Sequence, residues 1–317
     1  MQHTADISAA TDLDATSIAQ TRGAAVAQPS RLADFYELIK PRMNFLVLIT
    51  TMVGYFVAAG REATHWTLLF NTLLGTALCA SCAAVLNQLM ERDYDALMKR
   101  TRNRPLPAAR IAPREALVLG IALGVVGVAY LAIVVNALTA LLGLITVAWY
   151  LGLYTPAKRI TSLNTVLGAV PGALPPVMGF AAATNAISPA ALAVFGILFL
   201  WQMPHFLAIA IMYRDDYRAG GFRMLPCVEP DEDRLRFTGL MMVLYAIALV
   251  PVSVLPSMLN VTGPAYFTAA VLLGLGFLSF AVSCATSGGA RIDAKKLFFA
   301  SIIYLPLLLA AMMIDRV

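Results

Sequence analysis

The sequence predicts an all-α integral membrane protein with nine transmembrane helices. Three observations predict it. Only 13% of the 317 residues are charged and 60% are hydrophobic, whereas soluble domains carry roughly 25% charge. Apolar runs long enough to cross about 30 Å of hydrocarbon recur nine times. The Lys and Arg residues between those runs fall alternately in crowded and nearly empty segments.

Residues 1–32 are polar, rich in Ala, Ser and Thr, and without clear periodicity. They lack the basic-then-apolar layout of a cleaved signal peptide. They are expected to form a disordered cytoplasmic tail, with 33–317 as one nine-helix membrane domain. The spans lie near 43–60, 66–89, 115–135, 137–155, 163–183, 188–212, 237–258, 264–285 and 296–314. Four cysteines, Cys79, Cys82, Cys227 and Cys284, give no disulfide framework. Cys79 and Cys82 lie inside an apolar run and read as small packing residues.

Orientation follows from the basic residues. With the N-terminus inside, Arg61 and Arg316 are the only two of the 23 Lys and Arg on the outer side. That bias predicts N-in, C-out, with the sizeable polar loops on the cytoplasmic face. Chemistry is therefore expected at that face.

The second span ends in NQLMERDYDALMKRTRNRPLP, Asn87 to Pro107. Asn87, Glu91 and Asp95 are spaced i, i+4, i+8, so on a helix they form one slowly drifting stripe. Ionisable groups at membrane depth are costly and usually functional. A row of carboxylate and amide oxygens suits a hard cation. Mg²⁺ takes one or two carboxylates and fills its remaining positions with water and phosphate oxygens. The basic residues that follow, Lys99, Arg100, Arg102 and Arg104, suit the same phosphates.

A second polar cluster stands where the sixth span exits on the same side: Tyr213, Asp215, Asp216 and Tyr217. Two acidic clusters on two helices, facing one membrane face, could each hold Mg²⁺ and grip one diphosphate between them. Ionising an allylic diphosphate needs that arrangement, because charge develops on the leaving group. A single such loop reads equally well as solvated charges anchoring a helix end; two of matching polarity at one face favour the site. The fifth span, with GAVPGALPPVMG at 168–179, is expected to be a broken helix lining the cavity.

Four strings carry a resemblance: KPRMN (40–44), MKRTRNRPLP (98–107), YTPAKRITSLNTVLGAVPGALPPVMG (154–179) and WQMPHFLAIAIMYRDDYRAGGFRMLP (201–226). With Asn87, Glu91 and Asp95, they resemble the UbiA superfamily of intramembrane prenyltransferases, and within it the protohaem IX farnesyltransferases. Members have N-x-x-x-D-x-x-x-D after the second helix and an Asp-rich motif after the sixth. Glu91 departs from the usual Asp, keeping the charge and adding a methylene. Tyr213 and Tyr217 stand near some of the second motif's acidic places, leaving open which of Asp215 and Asp216 holds metal.

The resemblance implies nine helices around a central cavity open to lipid, Mg²⁺ dependence, and transfer of the farnesyl group of farnesyl diphosphate to a vinyl group of haem B, with water added, giving haem O. It implies Asn87, Glu91, Asp95, Asp215 and Asp216 as metal and catalytic residues. Lys99, Arg102, Arg104, Lys158, Arg159, Tyr213 and Tyr217 would bind diphosphate or a haem propionate. His205, the one His within a span, would contact haem or act in catalysis. A bacterial inner membrane and its lipid are implied surroundings. A haem A synthase or other oxidase-assembly protein is an implied partner, and nucleic acid is not. The rival within the family is prenylation of an aromatic acid or quinone precursor. A rival outside it, a transporter, would favour broken helices at mid-membrane over polar clusters at one face.

Overall fold

The computed structural model describes residues 30–60, 64–228 and 232–317, with the side chain of Glu232 left aside. The expected tail lies outside the described residues up to position 29. Within the stretch expected as tail, Ser30 caps helix α1 (Arg31–Leu38) by accepting the Ala33 N–H.

Among the described residues the regular secondary structure is all helical, apart from one isolated bridge between Thr262 and Arg316. Helices α2 (Pro41–Ala59) and α3 (Trp66–Asp95) come first. Helix α4 (Pro113–Tyr130) runs on through a π turn at Leu131–Val135. Helix α5 (Ala137–Trp149) continues through a second π turn, Tyr150–Tyr154, into α6 (Thr155–Ile160). There follow α7 (Asn164–Thr184), α8 (Pro189–Met212), the short α9 (Arg214–Ala219), α10 (Glu232–Met258), α11 (Pro264–Thr286) and α12 (Arg291–Ile314). Among the described residues nine helical stretches are long and apolar enough to span a membrane, as the sequence predicts. The second extends six residues further than its apolar run, carrying Asp95 with it, and the fourth reaches Ile160.

The fifth span corrects an expectation. Helix α7 is continuous over Asn164–Thr184 although Pro171, Pro175 and Pro176 sit inside it. Each proline removes an N–H donor but fixes φ near the helical value. Packing supplies the rest: α7 is the most buried of the nine spans and touches α2, α3, α5 and α8. A Cβ on Gly54 of α2 would collide with the Pro176 carbonyl, and one on Gly179 with the Thr51 carbonyl. The α2 and α7 backbones therefore meet directly, as small residues permit in membranes. Around this hub a continuous core gathers Met178, Ile197, Leu207, Met242, Leu249 and Tyr266.

Candidate active site

Asn87, Glu91 and Asp95 lie on one face of α3 and are 2%, 6% and 1% exposed. Two carboxylates that dry need partners, since an unpaired buried charge costs several kcal/mol. The structure supplies one cross-link at each level. Asn87 Nδ2 donates to Thr155 Oγ1 at 3.1 Å. Lys158 Nζ lies 2.8 Å from Glu91 Oε1, and Arg104 Nη1 is 2.7 Å from Asp95 Oδ2. Thr155 and Lys158 both come from α6, so α6 runs alongside the stripe.

The π turn before α6 sets that phase. It widens the helix by one residue per turn, and the Thr155 hydroxyl ties it by donating to the Tyr150 carbonyl at 2.8 Å. Tyr150 and Tyr154 then pack ring to ring, 5.1 Å apart, and the Lys158 ammonium lies 4.5 Å over the Tyr154 ring. A Cβ on Gly168 of α7 would strike that ring, so only glycine leaves it room.

The segment after α3 folds across the second acidic cluster. The Lys99 backbone N–H donates to Asp216 Oδ1 at 3.3 Å, while the Lys99 side chain is exposed. The Arg100 guanidinium sits over Tyr213 and Tyr217, 5.0 and 4.5 Å from their centroids. Met98 is buried against Phe222, Met224 and Cys227. Burial pushes the Cys227 thiol up to about 12, so it is inert. Thus Asp216 joins the two clusters, whereas Asp215 and Arg102 are exposed. Arg159 bonds the Tyr94 hydroxyl and lies 4.4 Å over its ring.

The structure does not bring His205 into this set. Its Nδ1 is 2.6 Å from Ser301 Oγ, and its ring is stacked between Trp201 and Phe298 at 5.0 and 5.1 Å. Ser301 and Phe298 belong to α12, where Trp201 Nε1 also donates to the Ser301 carbonyl. These contacts give His205 a place in the α8–α12 interface.

Lys40 is the residue that sequence reasoning missed. It sits in a left-handed turn, φ 48°, between α1 and α2, within electrostatic reach of Glu91, Asp95, Arg104 and Lys158. A non-glycine residue held there stores backbone strain. The available signal was a lysine directly before Pro41, because a residue preceding proline is barred from the helical region.

The donor set fits Mg²⁺. Glu91 Oε1 is buried 2.8 Å from Lys158 Nζ, and among the described residues no other donor bonds it. Among the described residues no three His, Cys, Asp or Glu converge on one point. A cation bound here would draw one or two carboxylates from the protein and its other oxygens from substrate and water, as Mg²⁺ does.

A family model described as the UbiA prenyltransferase family matches residues 47–303. The chain belongs to the UbiA prenyltransferase family. A protein named protoheme IX farnesyltransferase from Solibacter usitatus is 44% identical over 293 residues, covering 90% of this chain and 99% of that relative. One of the same name from Myxococcus xanthus is 43% identical, covering 91% and 96%. The fold matches a digeranylgeranylglyceryl phosphate synthase structure with a TM-score of 0.74 at 16% identity, covering 90% of this chain and 98% of that one. It also matches a UbiA homologue from Archaeoglobus fulgidus bound to GPP and Mg²⁺, with a TM-score of 0.60 at 16% identity, over 88% and 99%. In this UbiA chain, the ladder between α3, α6 and the basic segment occupies the end of the bundle where both motifs emerge.

Proposed function

We propose that this UbiA family member transfers the farnesyl group of farnesyl diphosphate to a vinyl group of haem B, with addition of water, giving haem O and diphosphate. The observation that carries a prenyl diphosphate substrate is the buried ladder in which Glu91 meets Lys158 and Asp95 meets Arg104. The names of relatives about as similar as 44% over nine-tenths of the chain support haem as the acceptor.

The ladder suits a polyanion for a physical reason. Its carboxylates and cations are already desolvated, so they need little reorganisation when charge develops beside them. Asn87, Glu91 and Asp95 would hold one Mg²⁺, and Asp216 with Asp215 would hold a second. Bound there, the metal would neutralise diphosphate and make it a better leaving group. Arg104, Lys158 and Lys40 add positive charge along the same face, and Arg100 and Arg102 extend it outward. The C1–O bond of the allylic diphosphate breaks with its electron pair on oxygen. The haem vinyl carbon supplies the pair for the new C–C bond. Water captures the resulting cation beside the porphyrin and releases one proton. The basic residues support an N-in orientation in a bacterial inner membrane, with this face in the cytoplasm.

Membranes containing the protein should convert haem B and farnesyl diphosphate to haem O, detected by mass. The product should vanish with EDTA and with Asp95→Ala. Folded protein that makes no haem O but prenylates 4-hydroxybenzoate would replace the haem reading with the aromatic one.

A further inference from the structure

Helix α1 touches the basic segment from behind, and one side chain makes the link. Arg110 Nε donates to Asp34 Oδ1 at 2.8 Å, and its Nη2 lies 3.5 Å from Glu37 Oε2. Its third donor, Nη1, reaches the Asn103 carbonyl at 2.8 Å. Asp34 is 3% exposed and Arg110 21%, so the pair is largely dry and holds a defined geometry.

The Asn103 carbonyl and the Arg104 N–H belong to one planar peptide unit. Arg110 holds the oxygen edge of that plane. The Thr101 carbonyl holds the other edge, accepting the Arg104 N–H at 2.9 Å. Thr101 itself is fixed, because its Oγ1 donates to the Asp95 carbonyl at 2.8 Å. With the plane pinned on both sides, the direction in which the Arg104 side chain leaves the backbone is set. From there its Nη1 reaches Asp95 Oδ2.

Two further features bring Arg110 into position. Ala109 adopts a left-handed conformation, φ 56°, which turns the chain back so that the Arg110 N–H donates to the Pro105 carbonyl at 2.8 Å. Leu38 of α1 is buried with Leu106 and Ile111 of the segment, against Val85 of α3 and Ala116 of α4.

We propose that Asp34 and Arg110 are positioning residues for Arg104, so that α1 sets how tightly the site holds diphosphate. This rests on the reading of the ladder as a diphosphate site. A mere anchor for α1 is the competing explanation, and the fold offers its own control. Arg31 also pairs with Glu115, tying α1 to the start of α4 without reaching Asn103.

The test uses the full-length protein in lipid nanodiscs, with inorganic pyrophosphate and Mg²⁺ titrated by calorimetry. Asp34→Asn should weaken pyrophosphate binding about tenfold, and raise the KM for farnesyl diphosphate similarly while kcat changes less than about twofold. Asp34→Glu should restore most of the affinity, and Glu115→Gln should stay within about twofold of the parent, as expected of an exposed pair. Wild-type affinity in Asp34→Asn overturns the proposal. So does equal weakening by Glu115→Gln, which would make α1 a general anchor. Should Asp34→Asn not fold, Arg110→Lys keeps a cation beside Asp34 but gives up the fork that also holds the Asn103 carbonyl, and should weaken binding about fivefold; unchanged affinity there overturns the proposal too. A parent protein that binds no pyrophosphate removes both the site reading and this inference. One that binds pyrophosphate but makes no haem O removes the haem assignment alone.

Discussion

The two acidic clusters differ in how they are held, although both emerge at the same end of the bundle. The first is an extension of a long helix: Glu91 and Asp95 are buried and each faces a cation across a short gap. The second stands on a six-residue helix, with Asp215 exposed and Asp216 taking a single backbone N–H from Lys99. A carboxylate locked in a dry ladder keeps its orientation between turnovers. One at the surface can reorient with little cost. On the proposed reading, the first cluster would provide the fixed half of the site and the second the adjustable half.

The sharpest way to break this contrast is at Asp95. Asp95→Ala should lower kcat/KM by about a thousandfold in a haem O assay, since it removes a preorganised charge and strands Arg104. Retention of a tenth of the activity would mean the ladder is structural. Lys158→Met comes next, with a loss of about a hundredfold, because Glu91 is then buried without its cation. A loss smaller than that of the Asp215 variant would reverse the ranking of the two clusters. At the second cluster, Asp216→Asn should cost about tenfold and Asp215→Asn about twofold in the same assay, reflecting their difference in engagement. Equal losses would show that exposure does not separate them. The smallest effect is expected at His205: His205→Phe keeps the aromatic stack and should leave activity within about twofold. A hundredfold loss there would return His205 to the chemistry.

These differences mark what the sequence could disclose. The nine spans were legible because apolar length is a local property. The Asn87–Glu91–Asp95 stripe was legible because a spacing of four residues repeats a helix face. Which cation meets which carboxylate was not. The Glu91–Lys158 pairing depends on an α5 that widens at Tyr150–Tyr154 before α6 begins, and no periodicity announces a π turn. Arg104 depends on a segment fixed by a helix some seventy residues earlier in the chain. The prolines of α7 signalled a break when read alone, because the glycines that offset them lie partly on α2. For His205 the signal was rarity: a lone histidine in a span invites a chemical role, while its partners Phe298 and Ser301, which the structure adds, lie far along the chain.

The π turn at Tyr150–Tyr154 carries one more consequence. An extra residue in one turn offsets the faces on its two sides by a fixed angle, so that Thr155 and Lys158 meet α3 in the phase the insertion sets. Deleting one residue from the turn would restore a single uniform screw and rotate everything beyond it by about 100°. Lys158 would then point away from Glu91 while every side chain of the site remained in the sequence. The phase set by this turn is thus as necessary to the Glu91–Lys158 pair as the two side chains themselves.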